Sequence, residues 1–175
     1  TARLERLDLL SQGDHIWDFD ENGVFAQVDA FVQRCDNLID VCKGLIQFAR
    51  MGARGVKAPT PAFGGTHGSE TEAQLLDIER KFESAARRLR DNDYDMKDAK
   101  ETRWHEDFTR FKRAMKDLEL MYKNVIESAF AGVSTVADGM VLLETFHALA
   151  KRKEIQSTVS KCAERVVGMF MGEIE

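Results

Sequence analysis

The feature that most constrains this chain is a stripe of large apolar residues between positions 104 and 129. Its members are spaced alternately by four and three positions without interruption: Trp104, Phe108, Phe111, Met115, Leu118, Tyr122, Val125 and Ala129. That spacing places all of them on one side of an α-helix. A helix over Thr102–Ala131 is about 45 Å long, which is longer than a compact domain of this size needs. The stripe therefore predicts an elongated helical bundle.

Apolar positions with the same spacing predict helices on either side of this one. A first helix runs from about Asp20 to Met51, with Asp20 as its N-cap. A second, of about 20 residues, begins at Ser69–Glu72, whose hydroxyl and carboxylate have the capping-box spacing. The stripe of the first helix is Phe25, Val28, Phe31, Val32, Cys35, Leu38, Ile39, Cys42, Leu45, Ile46 and Ala49. The stripe of the second helix is Leu75, Ile78, Phe82, Ala85 and Leu89.

Two more helices are predicted after the long one. Thr135 and Asp138 mark the start of the fourth helix, and we place the break before the fifth at Lys151–Lys153, although no Gly or Pro separates them. Their stripes are Val136, Met140, Leu143, Phe146 and Ala150, and Ile155, Val159, Cys162, Val166 and Phe170.

Glycine and proline are concentrated in one segment. Seven of the 14 fall between Gly52 and Gly68, so the sequence predicts a flexible loop at about residues 52–69. No stretch alternates apolar and polar residues for long enough to form a convincing strand. The predicted fold class is therefore all-α, an elongated bundle of about five helices.

The charge pattern narrows the classes of partner. The net charge is −5 and the two signs are interleaved, so the sequence shows no basic face for nucleic acid or for an anionic membrane. There is no apolar run of 18 residues and no stretch that reads as a signal peptide. An odd number of cysteines, three, favours reduced thiols. Cys35 and Cys42 are about 10 Å apart on one helix and cannot form a disulfide, so we expect core thiols.

One motif suggests a metal centre. Glu144 and His147 have the Glu-x-x-His spacing that places a carboxylate and an imidazole on one helix face in di-iron bundles. Such a centre needs a second motif, and the nearest candidate is imperfect because His105 follows Glu101 by four residues. A polar or half-buried histidine is the simpler interpretation, and we predict no metal ligand here.

Two other segments resemble ligand-binding loops. Asp91–Asp95 is similar to the opening of a calcium loop, but Met96 stands where glycine is needed and Thr102 where a bidentate glutamate is needed. A polar connection between helices is the simpler interpretation. Gly64–Ser69 is a glycine-rich turn before a helix, but no strand precedes it and Glu70–Glu72 would repel a phosphate. No nucleophile, base and acid stand in a recognisable constellation, so we predict no catalytic residue and no cofactor.

Four stretches of the sequence together resemble the N-terminal tail of axonemal dynein heavy chains. They are FDENGVFAQVDAFVQRCDNLIDVC, FGGTHGSETEAQLLDIERKFESAARRLRDNDYDMKD, RWHEDFTRFKRAMKDLELMYKNVIESAF and LLETFHALAKRKEI. The resemblance extends in order from about Ile16 to Ile174, and it contains no catalytic signature.

The resemblance implies that residues 1–175 are part of a rod-like tail built of helical bundles. Such a tail binds dynein intermediate chains, light chains, other heavy chains and axonemal docking components, and it holds the motor on the doublet microtubule in the cilium or flagellum. The parent chain would be an ATP-driven, minus-end-directed motor of the cytoskeleton. Its phosphate-binding loop, Gly-x-x-x-x-Gly-Lys-Ser/Thr, is absent from this sequence, so the segment itself is not expected to be an enzyme.

Two alternatives stay open at this stage. The helical stripes alone are also compatible with a free-standing, spectrin-like adaptor. The Glu144–His147 motif alone suggests a ferritin-like oxidase.

Overall fold

The computed structural model describes residues 21–52, 54–63, 67–98 and 100–174. Within these ranges the chain forms five helices, which confirms the all-α prediction: α1 Glu21–Phe48, α2 Gly68–Asp91, α3 Thr102–Ala131, α4 Val136–Leu149 and α5 Lys153–Ile174. The described residues form no strand beyond an isolated antiparallel bridge between Met51 and Lys57. None of these helices combines the length and the apolar character needed to cross a membrane.

Helix α3 is the centre of the fold. Its bounds are those that the sequence predicted, and its stripe is buried throughout except at Ala129, which is half-buried. Helix α2 packs along α3 most extensively, and α5 and α4 pack against other parts of it. One continuous apolar core therefore joins these four helices, and its aromatic rings lie in contact along α3.

Helix α2 starts differently from the prediction. The predicted capping box is wrong, because the helix begins at Gly68 and no side chain caps its first turn. The Glu72 carboxylate instead accepts a hydrogen bond from the backbone N–H of Phe63 at 2.9 Å. Leu75, Ile78 and Phe82 are buried as predicted, and the helix ends at Asp91.

Helix α1 is amphipathic, as predicted, but it faces the body with its more polar side. Its buried residues are Arg34, Gly44, Gln47 and Phe48. A Cβ atom at Gly44 would lie 2.9 Å from Cε2 of Phe82, so glycine allows α1 to approach α2 closely here. Most of the predicted apolar stripe points away from the body. The predicted N-cap Asp20 lies outside the described residues.

Helices α4 and α5 pack against each other and are separated by a short break. Thr135 caps α4 as predicted, since its Oγ1 accepts the Asp138 N–H at 3.1 Å. The break predicted at residues 151–153 is confirmed, since α4 ends at Leu149 and α5 begins at Lys153. Phe146 is fully buried, but Met140 and Phe170 are exposed, so the predicted stripes are wrong at these two positions.

The Met140 error has a physical cause. Gly139 is the residue that faces α5, and a Cβ atom there would lie 2.8 Å from Val166 Cγ2. Glycine has no side chain that counts as apolar in a periodic stripe. The spacing of apolar residues therefore does not identify a glycine at a close contact between helices.

Gln47 connects α1 to the break between α4 and α5. Its Oε1 accepts the backbone N–H groups of Lys151 at 2.6 Å and Arg152 at 3.0 Å, and its Nε2 donates to the Leu149 carbonyl at 3.2 Å. The side chain is only 1% exposed. One buried amide therefore satisfies backbone groups that the interrupted helix leaves without partners.

The segment after α1 is held by a buried ion pair. Arg50 Nη2 donates to Glu79 Oε2 at 2.9 Å and to Thr60 Oγ1 at 3.0 Å, and Lys57 forms a second ion pair with Glu79. Further along, the Phe63 ring packs on Phe146 with a centroid separation of 5.1 Å. The flexibility predicted for residues 52–69 stays a prediction, while the described residues of that segment make these contacts.

Candidate partner-binding surface

The residues of the predicted metal motif do not gather ligands. Glu144 and His147 are both exposed on α4, where they line a groove between α4 and α5. His105 is exposed on α3, a different helix. Over the described ranges, no three His, Cys, Asp or Glu side chains lie close enough to hold one metal ion.

The acidic segment Asp91–Asp95 forms the polar connection between α2 and α3. Tyr94 donates its hydroxyl hydrogen to Asp107 Oδ2 at 2.9 Å, and Asp95 Oδ1 accepts the Lys97 N–H at 2.9 Å. Partial burial raises the pKa of Tyr94, because its anion would lose solvation and lie beside a carboxylate. These oxygens take part in local hydrogen bonds that shape the connection.

Arg34 of α1 fixes this connection from the opposite side. Its guanidinium group donates hydrogen bonds to the carbonyls of Asp95 at 3.1 Å, Asp98 at 2.7 Å and Glu101 at 3.2 Å. Arginine suits this role because its rigid fork presents several donors at once. Arg34 was not predictable as a contact residue, because its partners lie more than 60 residues away in the chain.

The N-terminus of α2, which follows the glycine-rich segment, lies against the Phe63 carbonyl and carries a carboxylate in its first turn. Gly64–Thr66 lie outside the described residues, and His67 immediately precedes α2. A Cβ atom at Gly68 would lie 2.0 Å from the Phe63 carbonyl oxygen, so glycine is required for this contact. The first turn of α2 also carries the Glu70 carboxylate. Both features oppose the binding of a phosphate at this helix end.

The three cysteines lie in different environments and are free thiols. Cys162 is buried, and burial raises the pKa of its thiol. Cys35 is half-buried and Cys42 is exposed. The prediction of core thiols is therefore wrong for Cys42, because the side of α1 that carries it faces away from the body.

The structure also shows a feature that the sequence did not predict, which is that the apolar side of α1 is exposed. Among the described residues, sixteen large hydrophobic side chains are exposed, and eight of them belong to α1. They are Val24, Phe25, Val28, Phe31, Val32, Leu38, Ile39 and Ile46. Soluble monomers rarely expose so much contiguous apolar surface, and patches of this kind mark interaction sites.

These observations define the class of protein. The described residues form a helical scaffold with polar connections, a buried ion pair and one large exposed apolar helix face. What this arrangement offers chemically is an exposed apolar surface on a helical support.

Comparison with known proteins identifies the family. Residues 3–175 match the family model described as dynein heavy chain, N-terminal region 1. The chain therefore belongs to the dynein heavy chain family and represents its N-terminal region.

The curated relatives include axonemal heavy chains. The chain is 42% identical over 90% of its length to the dynein-1-beta heavy chain of the flagellar inner arm I1 complex of Chlamydomonas reinhardtii. It is 40% identical over 77% of its length to human dynein axonemal heavy chain 2, and 28% identical over 89% to the beta chain of the Chlamydomonas flagellar outer arm. The chain spans about 3% of the length of each of these relatives.

Proposed function

We propose that this chain is a non-catalytic assembly segment in the tail of an axonemal dynein heavy chain. In this role it helps to hold the motor on the doublet microtubule and binds intermediate chains or neighbouring heavy chains. The observation that carries the proposal is the match of nearly the whole chain to the N-terminal region of the family. The parent chain would be an ATP-driven, minus-end-directed motor that moves cilia and flagella.

The mechanics of the fold support this role. The 30-residue helix α3 runs through one core that also includes residues of α2, α4 and α5. Because interdigitated side chains resist displacement, such a core transmits force with little deformation. The contacts of Arg34 and Gln47 tie α1 to the α2–α3 connection and to the α4–α5 break of this body. A segment that links a motor to its attachment site needs this kind of stiffness.

Light chains and axonemal docking components are further partners that we propose for the tail as a whole. The segment is proposed to work without a cofactor or metal and without ATP hydrolysis of its own. Its location would be the axoneme of the cilium or flagellum, within the cytoplasmic cytoskeleton. Sequencing the source transcript beyond the codon for Glu175 distinguishes this proposal from a free-standing adaptor. A reading frame that continues into a motor domain supports the proposal, and a stop codon soon after Glu175 supports the adaptor.

A quantitative pull-down tests the proposal. Tagged chain is mixed with the high-salt extract of ciliary axonemes, and bound proteins are measured by mass spectrometry, with excess untagged chain as competitor. We expect intermediate chains or other heavy chains to be enriched and then displaced by the competitor. An ATPase assay on the purified chain is expected to show no turnover. Recovery of no dynein subunit would contradict the proposal.

A further inference from the structure

The exposed side of α1 has the regular spacing of a helix-packing seam. Its apolar positions alternate by three and four without an error over three heptads: Phe25, Val28, Val32, Cys35, Ile39, Cys42 and Ile46. A repeat of seven keeps a row of side chains facing a partner helix along its length. Val24, Phe31 and Leu38 widen this row on one flank. We name these ten residues the α1 seam.

The opposite side of α1 already has its partners. Arg34, Gln47 and Phe48 belong to the other face of the helix, and they contact the α2–α3 connection, the α4–α5 break and the Phe82 ring. The seam is therefore not the side by which α1 attaches to its own fold. It is a second apolar face of the same helix, left uncovered by the described residues.

The size of the seam matches an interface. Its eight large side chains are 40–64% exposed. At about 180 Å² for each complete side chain they present roughly 700 Å² of apolar surface, close to the ~800 Å² that each partner contributes to a standard specific interface. An apolar groove between α1 and α2 continues the surface on one flank, lined by Leu38, Leu45, Ala86 and Leu89.

The charges along the seam determine the chemistry of its partner. On one flank, Asp29 and Asp36 are exposed and one heptad apart, and no described cation pairs with either. On the other side, the rim of the α1–α2 groove carries Arg87 and Arg90, of which Arg90 is paired with Asp91. A complementary helix therefore needs basic residues on one flank and acidic residues on the other.

A second copy of α1 does not meet this requirement. Its exposed cation is Lys43, whose Nζ lies 3.4 Å from Asp40 Oδ1 on the same helix. Lys43 stands one heptad after Asp36 on the same flank, so a second copy would bring the acidic pair Asp29 and Asp36 and a single cation rather than a basic row. An anionic membrane is opposed by the same two carboxylates.

We propose that the α1 seam is the docking site for an amphipathic helix of another polypeptide. That helix has an apolar heptad row, basic residues on the flank that faces Asp29 and Asp36, and acidic residues on the flank that faces Arg87. This inference rests on the proposed function, because it names the surface by which the segment holds another subunit. It commits to a heterotypic partner.

The test uses two synthetic 28-residue helices with the same apolar heptad row. The first has Lys on the flank that faces the α1 carboxylates and Glu on the other, and the second has these flanks exchanged. Binding to the 175-residue chain is measured by fluorescence anisotropy. We expect the first peptide to bind roughly tenfold more tightly, and raised salt to reduce the difference. Equal binding of the two peptides would overturn the proposal.

Variants locate the binding. Ile39→Asp is expected to weaken binding at least about tenfold, since it places a charge at the centre of the seam. Leu120→Asp is the matched control, because Leu120 is 60% exposed on α3, away from α1, and is expected to change nothing. Asp29→Lys combined with Asp36→Lys is expected to abolish the preference between the two peptides. Circular dichroism of each variant confirms that the fold is retained.

A native thiol provides a second readout. Cys42 lies in the seam and is exposed, whereas Cys162 is buried in α5. Alkylation by iodoacetamide, followed by mass spectrometry, is expected to be fast at Cys42 in the free chain and at least about tenfold slower with the first peptide bound, with Cys162 slow throughout. Self-association of the free chain in sedimentation velocity, with Cys42 protected, would overturn the heterotypic assignment in favour of a second copy.

The outcomes separate this inference from the proposed function. If the pull-down recovers dynein subunits equally with the chain and with Ile39→Asp, the proposed function stands and the docking site is wrong. If the peptides behave as expected but no dynein subunit is recovered, the docking site stands and the proposed function is wrong.

Discussion

Gln47→Leu is expected to destabilise the fold through the α4–α5 break. The substitution keeps the approximate volume of the side chain but removes its hydrogen bonds to Leu149, Lys151 and Arg152. Three bonds at about 1 kcal/mol each amount to about 3 kcal/mol, and the added apolar burial of leucine offsets about 1 kcal/mol. We therefore expect the free energy of unfolding to fall by about 2 kcal/mol and Tm by about 4–8 °C.

Thermal and urea unfolding measure this loss, and hydrogen exchange locates it. The backbone amides of Lys151 and Arg152 are expected to exchange faster in the Gln47→Leu variant, because they lose their acceptor. Gln33→Leu is the matched control on the same helix, since the Gln33 side chain is exposed. If both variants lost the same stability, or if exchange at Lys151 and Arg152 were unchanged, the reasoning about the buried amide would be refuted.

Four further substitutions, one of them a control, test the packing and the titration of a buried tyrosine. Phe111→Ala should lower the free energy of unfolding by about 3–5 kcal/mol in urea titrations, and the exposed Arg113→Ala by less than about 0.5 kcal/mol; equal losses would contradict the register of α3. Gly44→Ala should destabilise by about 1–2 kcal/mol despite its better helix propensity, because the new Cβ meets the buried Phe82 ring; a gain in Tm would refute this. Burial raises the pKa of Tyr122 in the folded state, so the contribution of this tyrosine to stability should be constant up to about pH 10 and fall above it, and Tyr122→Phe should reduce the loss of stability above about pH 10 in alkaline unfolding curves.

The helices were predictable because local spacing determines them. The stripe from Trp104 to Val125 is buried at every position, and the predicted bounds of α3 match the structure. Thr135 was recognisable as an N-cap because its partner lies three residues away. These features depend on neighbours within a turn or two of helix, and such neighbours are visible in the sequence.

The surface was less predictable because periodicity identifies an apolar side but does not say what covers it. The row from Phe25 to Ile46 has the same spacing as the buried stripes, yet its large side chains are exposed. The side of α1 that packs on the body is instead marked by two polar residues, Arg34 and Gln47, which are buried there. Their partners are 61 to 105 residues away in sequence. Only the folded chain brings such pairs together.

The capping box failed for a related reason. Ser69 and Glu72 have the correct spacing, but the Glu72 carboxylate is taken by the N–H of Phe63, whose ring is anchored on Phe146. A tertiary contact thus outcompeted a local one. The Phe63 contact also explains why α2 begins at Gly68, where only glycine fits beneath the Phe63 carbonyl.

Cross-linking mass spectrometry of axonemal dynein that contains this chain tests the central claim most directly. Lys43, on α1 beside the seam, is the informative residue, and Lys112, exposed on α3, is the comparison within the same chain. If the segment is an assembly element, Lys43 will form cross-links to an intermediate chain or to another heavy chain more often than Lys112 does. Cross-links from both lysines that stay entirely within the segment would contradict the account.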